Sequence, residues 1–290
     1  MPKFYVHIIA ILCVAIWGET FVSTKVLLSA GLFPADAYFY RFAIAYISLL
    51  CICHKKLFAD SLKDEILIAI SGVLSGSLYF LCENFALIHA QAADVSIVIS
   101  TCPIFTSLLL ALFYKSERLS VRQNIGLLMA FVGLAIVVMN GKYVLHISAL
   151  GYSLAFAASF SWGLYSLIMK GILPRYSTWF LNRKAFFYGL ITILPYFAFV
   201  KPLNTKLVIL IQPPVYGNLI YLGVVGSMLC YVTWSWAMQQ IGIVKSSIYL
   251  YLNPIFTVFF AIIVLHERIT LLAFLGLFIL LLGMYWAEKK

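Results

Sequence analysis

Charge is scarce in this chain. Asp, Glu, Lys and Arg together make up 10% of its 290 residues, where a soluble domain carries about a quarter. That shortage excludes a water-facing globule of this size, because too few ionic groups exist to cover its surface. Long polar stretches are also missing. The longest, His54 to Glu65, amounts to a loop, so no soluble domain fits anywhere. Enzyme signatures are absent as well: no HExxH, GxSxG, P-loop or GxGxxG sequence occurs. The lack of a P-loop argues against a self-contained ATP-driven pump. The five histidines are scattered, and Cys13, Cys51, Cys53, Cys82, Cys102 and Cys230 all lie in apolar runs without metal-type spacing. No catalytic residue, metal site or cofactor is therefore expected, and the cysteines read as packing residues.

What is present is apolar. Hydrophobic residues make up 64% of the chain, with a mean hydropathy of +1.03. They come in runs of about 18–23 residues, the length that crosses a hydrocarbon core. The expected helices are Phe4–Lys25, Asp36–His54, Ile66–Ile88, Asp94–Tyr114, Val121–Asn140, Ser148–Met169, Trp179–Val200, Val215–Met238, Lys245–Leu265 and Thr270–Ala287. The first run is too long for a signal peptide, carries Glu19 and Lys25, and lacks a small-residue cleavage site, so it is kept as a membrane helix. The connecting turns are short, which makes neighbouring helices antiparallel.

The formal charge of +10 does not point to nucleic acid, because the basic residues sit in inter-helix turns and form no patch. Their placement sets orientation instead. With the N-terminus cytoplasmic, 14 Lys and Arg fall inside and 6 outside (Lys25, Arg41, Lys142, Lys201, Lys206 and Arg268). That positive-inside bias predicts two cytoplasmic termini in a bacterial-type inner membrane.

Two stretches of the sequence read alike. Asn84–Phe105 lies over Ser235–Phe256 without a gap, so that Phe85-Ala86 meets Trp236-Ala237, Ser96 meets Ser247, and Pro103-Ile104-Phe105 meets Pro254-Ile255-Phe256. After a one-residue slip, Glu117-Arg118 matches Glu267-Arg268, and Gly126 and Gly133 match Gly276 and Gly283. Trp17-Gly18 likewise matches Trp162-Gly163. Five helices per half is an odd number, so the halves insert with opposite orientation, as in many secondary transporters. The expectation is an all-α polytopic membrane protein: ten transmembrane helices in two inverted five-helix repeats, residues 1–141 and 148–290.

This pattern resembles the EamA-type transporters of the drug/metabolite transporter superfamily. The likeness rests on Trp-Gly early in each half, Arg41 in the second helix, the small-residue stretch before Pro-Ile-Phe, and the Glu-Arg turn before a glycine-paired helix. It covers essentially the whole chain. The resemblance implies a ten-helix carrier in two inverted halves, in a family of which many members export amino acids or related metabolites. These motifs mark the scaffold and say little about the cargo.

A charge in a membrane helix costs about 2.5–3.5 kcal/mol at the centre on insertion scales, so it normally faces protein or water. Glu19, Arg41 and Glu83 stand out, and counting along the helices puts all three at one depth in the outer half. Two readings fit them: an outer gate or substrate-ammonium site, or a structural ion pair that fixes helix packing. Asn84 and Tyr79 flank Glu83. In the fourth helix Ser96, Ser100, Pro103 and Ser107 share one face, and Ser247, Tyr251 and Pro254 repeat that feature in the ninth. Small polar residues beside a proline either line a cavity or act as close-packing contacts. The prolines are hinge candidates. Trp17 and Trp162 lie well inside their helices and could wall a cavity, with Trp236 further along the second half. Gly72 and Gly76 form a GxxxG motif, and the paired glycines near each half's end serve packing within a monomer or a homodimer contact.

The function expected is alternating access by a secondary carrier exporting a small-molecule substrate such as an amino acid, with protons as a candidate coupling ion at Glu83 or Glu19. Efflux of drug-like or aromatic cations is the alternative, and a lipid-directed membrane enzyme is a further one.

Overall fold

The computed structural model describes residues 3–114, 120–144, 149–267 and 270–288. Lys115, Glu117, Arg118, Ser148, Arg268, Lys289 and Lys290, used above for orientation or for the repeat, lie outside the described residues. Among the described residues the chain is helical, with no strand. The long helices are α1 (Lys3–Ser29), α2 (Pro34–Ile52), α3 (Leu62–His89), α4 (Ala92–Phe113), α5 (Val121–Val144), α6 (Ala149–Ile172), α7 (Thr178–Phe199), α8 (Pro213–Ile241), α9 (Ile243–Val264) and α10 (Leu271–Glu288). A single turn at Leu207–Leu210 precedes α8.

Among the described residues, seven of these helices (α1, α2, α3, α4, α6, α8 and α9) are long and apolar enough to cross a membrane. The protein is thus a multi-pass membrane protein. Helix α10 contributes a shorter apolar stretch, Phe274–Gly283. Helix α7 falls outside the set because Asn182, Arg183 and Lys184 sit in its first turns and Pro195 in its body.

Four expected helices are less regular than their sequences promised. Helix α3 carries a π-helical segment at Val73–Ser77 and α8 one at Tyr221–Leu229, in matching positions of the two halves. A π turn widens the ladder and leaves carbonyls for other partners. Those partners are side chains: Tyr231 Oη donates to Ser75 O (2.9 Å), Ser161 Oγ to Leu74 O (2.6 Å), and Trp17 Nε1 to Gly226 O (2.9 Å). Ser75 and Gly226 correspond when Pro103 is laid on Pro254.

Helix α4, expected as one rod, is broken into Ala92–Ile99 and Cys102–Phe113. Pro103 cannot donate to Ile99, four residues back, and its ring would crowd that carbonyl. The freed Ile99 carbonyl takes a long bond from Ser159 Oγ (3.4 Å), and Ser159 also meets Thr101 Oγ1 at 2.7 Å. Helix α9 answers the same problem at Pro254 with a 3₁₀ stretch, Ile248–Leu252.

The halves interlock reciprocally. Helix α1 packs on α8 and α9, while α6 packs on α3 and α4. Each Trp-Gly pair faces the other half's Pro-Ile-Phe. A Cβ placed on Gly18 would stand 2.6 Å from Phe256 Cβ, and one on Gly163 would stand 2.8 Å from Phe105 Cβ. Only glycine permits that approach. Thr257 Oγ1 donates to Gly18 O (2.8 Å) across the first of these contacts. At the far edge α5 packs against α10, with Gly133 on Gly276 and Leu280, and Gly283 on Gly126 and Ala130. The GxxxG pair is also used inside the chain, Gly72 against α7 and Gly76 against Tyr38 and Phe42 of α2 and Gly189 of α7.

Candidate functional site

Seven of the long helices surround a small central cavity. Its wall is built from Trp17, Thr20 and Phe21 of α1, Arg41 of α2, Tyr79, Phe80 and Glu83 of α3, Ile99, Ser100 and Cys102 at the break in α4, Trp162 of α6, Tyr231 of α8, and Leu250 and Asn253 at the break in α9. Its volume is about 30 Å³, room for one or two waters. The centre of the protein is tightly packed in this conformation.

The aromatic part of the wall is a mutually packed set. Trp17 and Trp162, the matching residues of the two halves, meet edge to face with centroids 5.6 Å apart. Tyr231 contacts both tryptophans at 5.7 and 5.9 Å, and Tyr79 contacts Trp162 at 5.5 Å. Aromatic pairs in such geometry add about 0.5–1.5 kcal/mol beyond the area they bury.

Two charged residues face this apolar surround. Arg41, 2% exposed, donates from Nε to Ser227 Oγ (2.6 Å) and from Nη2 to Gly226 O (3.3 Å), and stacks 4.4 Å over the Phe80 ring. Both oxygens belong to the π segment of α8, so the irregular helix of one half holds the guanidinium of the other. Arg41 Nη1 has no hydrogen-bond partner. Glu83 is also 2% exposed, interacts with Tyr79 one turn back, and leaves Oε1 without a partner. The two side chains line the same cavity, yet among the described residues they form no ion pair; the pairs present are Lys56–Asp60, Arg175–Asp64 and Lys184–Glu65.

The expected site residues divide accordingly. Trp17, Arg41, Tyr79, Glu83, Ser100 and Trp162 share the cavity wall. Glu19 faces the other way. It lines an apolar groove of about 490 Å³ on the outside of α1, with Tyr221, Ile255, Phe256, Phe259 and Phe260 among its neighbours. Its Oε1 accepts from Ser23 Oγ (2.5 Å), and the carboxylate interacts with the Tyr221 hydroxyl. Asn84 ties α3 to the start of α2 through Pro34 O (3.0 Å). Ser96 and Ser247 are buried and bond back to Ala93 O and Val244 O in their own helices. Tyr251 is buried in the core, and Trp236 packs half-buried against it. Pro103 and Pro254 each stand one residue past a wall residue, Cys102 and Asn253, at the start of the helix that follows the break.

Several wall residues escaped the sequence reading: Thr20, Phe21, Phe80, Ile99, Cys102, Tyr231, Leu250 and Asn253. Cys102 and Asn253 had a signal, since each precedes the repeated proline. Thr20 and Phe21 follow Trp17 at helical spacing. Phe80 and Tyr231, and Ile99 and Leu250, are matching positions of the repeat, but their residue types alone do not point to a site.

Polar ties close the bundle at both ends. At one, Glu267 accepts from the backbone N–H groups of Ala92 (2.8 Å) and Ala93 (3.2 Å) and so caps α4 from the opposite half, while the Lys25 ammonium donates to Ala90 O. At the other, Asp64 pairs with Arg175 (2.7 Å) and accepts from Tyr176 Oη (2.8 Å), Lys184 pairs with Glu65, and Gln239 Nε2 donates to Leu173 O (2.7 Å). Arg183 donates to the Cys53 and Lys56 carbonyls there.

The sequence profile of the EamA-like transporter family matches residues 5–139 and again 149–287. An uncharacterised transporter of Archaeoglobus fulgidus is 27% identical over 98% of this chain and 97% of its own length. A probable amino-acid metabolite efflux pump of Escherichia coli is 25% identical over 96% of this chain and 93% of its own. A probable terminal-alkyne amino-acid exporter of Streptantibioticus cattleyicolor is 28% identical over 74% of this chain and 70% of its own. A solved crystal structure superposes with a TM-score of 0.72 at 14% identity, covering 98% of this chain and 96% of that one, a likeness of fold alone. The double match spans both halves, and this chain belongs to the EamA-like transporter family.

Proposed function

We propose that the protein is a secondary transporter that exports amino acids or closely related metabolites by alternating access, with all ten long helices in the membrane and both termini cytoplasmic. The observation that carries the reading is the small cavity between reciprocally packed halves, walled by the same Trp from each half and by the broken helices α4 and α9. Each half grips the other through a Trp-Gly contact on Pro-Ile-Phe, so rocking one half against the other opens the cavity on one side at a time. The polar ties at the two ends are then the contacts that alternate, and the breaks before Pro103 and Pro254 serve as hinges. The names given to the Escherichia coli and Streptantibioticus relatives support the amino-acid class. Glu83 is the acid on this cavity and the group through which a proton would couple to export.

The test is counterflow in liposomes. Vesicles loaded with an unlabelled amino-acid mixture should accumulate the labelled cargo faster than empty ones, and Glu83→Gln should lose the pH dependence of that exchange. Absence of exchange across the panel of amino acids and their derivatives would refute the reading.

A second reading, efflux of apolar organic cations, has its own support in the outer groove. The Glu19 carboxylate, on an apolar groove of about 490 Å³, matches a hydrophobic cation in charge and in the size usual for ligand pockets. Saturable displacement of a fluorescent lipophilic cation, lost in Glu19→Gln, would favour it.

A further inference from the structure

Glu83 Oε1 and Arg41 Nη1 are deeply buried ionic atoms with no partner, in residues 2% exposed, on the wall of one cavity. A buried ionic group left unpaired is costly, and inside a membrane protein it marks a binding function by default. The two charges attract each other across the cavity but form no contact ion pair among the described residues, so each keeps an open hydrogen-bonding position.

From this we infer that the cavity binds the zwitterion of a neutral α-amino acid, with Arg41 taking its carboxylate and Glu83 its ammonium group. The inference rests on the transport reading above and assigns its chemistry to two residues.

The charges decide the class. The wall carries one cation and one anion and no other ionisable acid or base of that strength. A ligand with one carboxylate and one ammonium meets both and leaves the complex neutral. An organic cation would satisfy Glu83 and leave the guanidinium unmet, and an organic anion would do the reverse. Arg41 is already fixed on three sides by Ser227, Gly226 and the Phe80 ring, so its remaining Nη1 edge is held ready without reorganisation. Glu83 is braced by Tyr79.

The rest of the wall sets the side chain. Trp17, Trp162, Tyr231, Phe21, Ile99 and Leu250 offer apolar surface, and Thr20, Ser100 and Asn253 add neutral polar groups, of which Asn253 Oδ1 is also without a hydrogen-bond partner. No third charge meets an acidic or basic side chain, so neutral amino acids bind, and lysine, arginine, aspartate and glutamate do not. The present volume of about 30 Å³ admits only water, so the ligand enters when the halves part.

The experiment uses the purified full-length protein and three probes that share a side chain. Leucine carries both poles, isocaproate lacks the ammonium group, and isoamylamine lacks the carboxylate. Affinity is read from ligand-dependent thermal stability and from competition with labelled leucine, with methionine and phenylalanine as further apolar amino acids. In the wild type each truncated probe should bind about 10- to 100-fold more weakly than leucine, the range for losing one bond to a charged group. Glu83→Gln should weaken leucine and isoamylamine while leaving isocaproate unchanged. Arg41→Gln should do the converse, and because Arg41 also braces α8, the wild-type probe series stands without it.

Failure of all three amino acids to bind would sink the amino-acid reading itself. Leucine binding no tighter than isocaproate and isoamylamine would leave transport of amino acids intact and overturn the two-pole assignment. The same holds if Glu83→Gln weakens the three probes equally, which would mark Glu83 as structural.

Discussion

Replacing Gly18 with alanine tests the contact that joins the halves. The new Cβ would stand 2.6 Å from Phe256 Cβ, 3.0 Å from Asn253 O and 3.1 Å from Thr257 N. Carbon atoms pack at about 3.5–4.0 Å, so α1 and α9 must separate by roughly 1 Å along a contact made mostly of backbone. Helix backbone yields far less readily than a side-chain tip. Overpacking of this kind costs about 1–3 kcal/mol, a fall of several degrees in the melting temperature of a large domain at roughly 2–4 °C per kcal/mol. Gly163→Ala should cost a similar amount, because its Cβ meets Phe105 Cβ at 2.8 Å in the reciprocal contact. Gly217→Ala is the control. That glycine lies in α8 with nothing within 4 Å of its added Cβ, so alanine there gains up to about 1 kcal/mol of helix propensity. Thermal unfolding of the three variants in one detergent gives the comparison. If Gly18→Ala and Gly163→Ala melt with Gly217→Ala, the reciprocal close packing is wrong.

Glu267→Ala removes the cap that Ala92 and Ala93 receive from the other half; a loss of about 0.5–2 kcal/mol is expected, read as a lower melting temperature, and no change would show the cap to be idle. Trp17→Phe keeps an aromatic side chain but loses the bond to Gly226 O (2.9 Å) and part of the buried indole volume, so it should cost at least the roughly 0.5–1.5 kcal/mol of the hydrogen bond alone and be visible in the same assay. Cys102 lines the central cavity and is 2% exposed. In a variant whose other five cysteines are replaced by serine or alanine, it should resist a water-soluble thiol reagent at rest and react under transport conditions. Protection that persists during transport would put the substrate path elsewhere.

The apolar run lengths determined the helices, because a chain in lipid must satisfy its backbone groups within each segment and sequence hydropathy reports that directly. The repeat was legible for a related reason: Trp-Gly and Pro-Ile-Phe are steric partners, and each half must keep its own copy for the other half to use. Arg41 and Glu83 could be set at one depth by counting residues. Glu19 shows where counting ends. It stands two residues from Trp17, about 200° around the helix, so it shares their depth and faces away from the cavity. Which face of α1 looks inward was a property of its neighbours α8 and α9. The π segments of α3 and α8 were hidden too, since no residue type demands them; they persist because Tyr231, Ser161, Trp17 and Arg41 reach their freed carbonyls from other helices. Sequence settled what the membrane requires of each helix by itself. The cavity, with its unpaired guanidinium edge and carboxylate oxygen, arises only where helices from both halves converge, and that convergence was decided by tertiary packing.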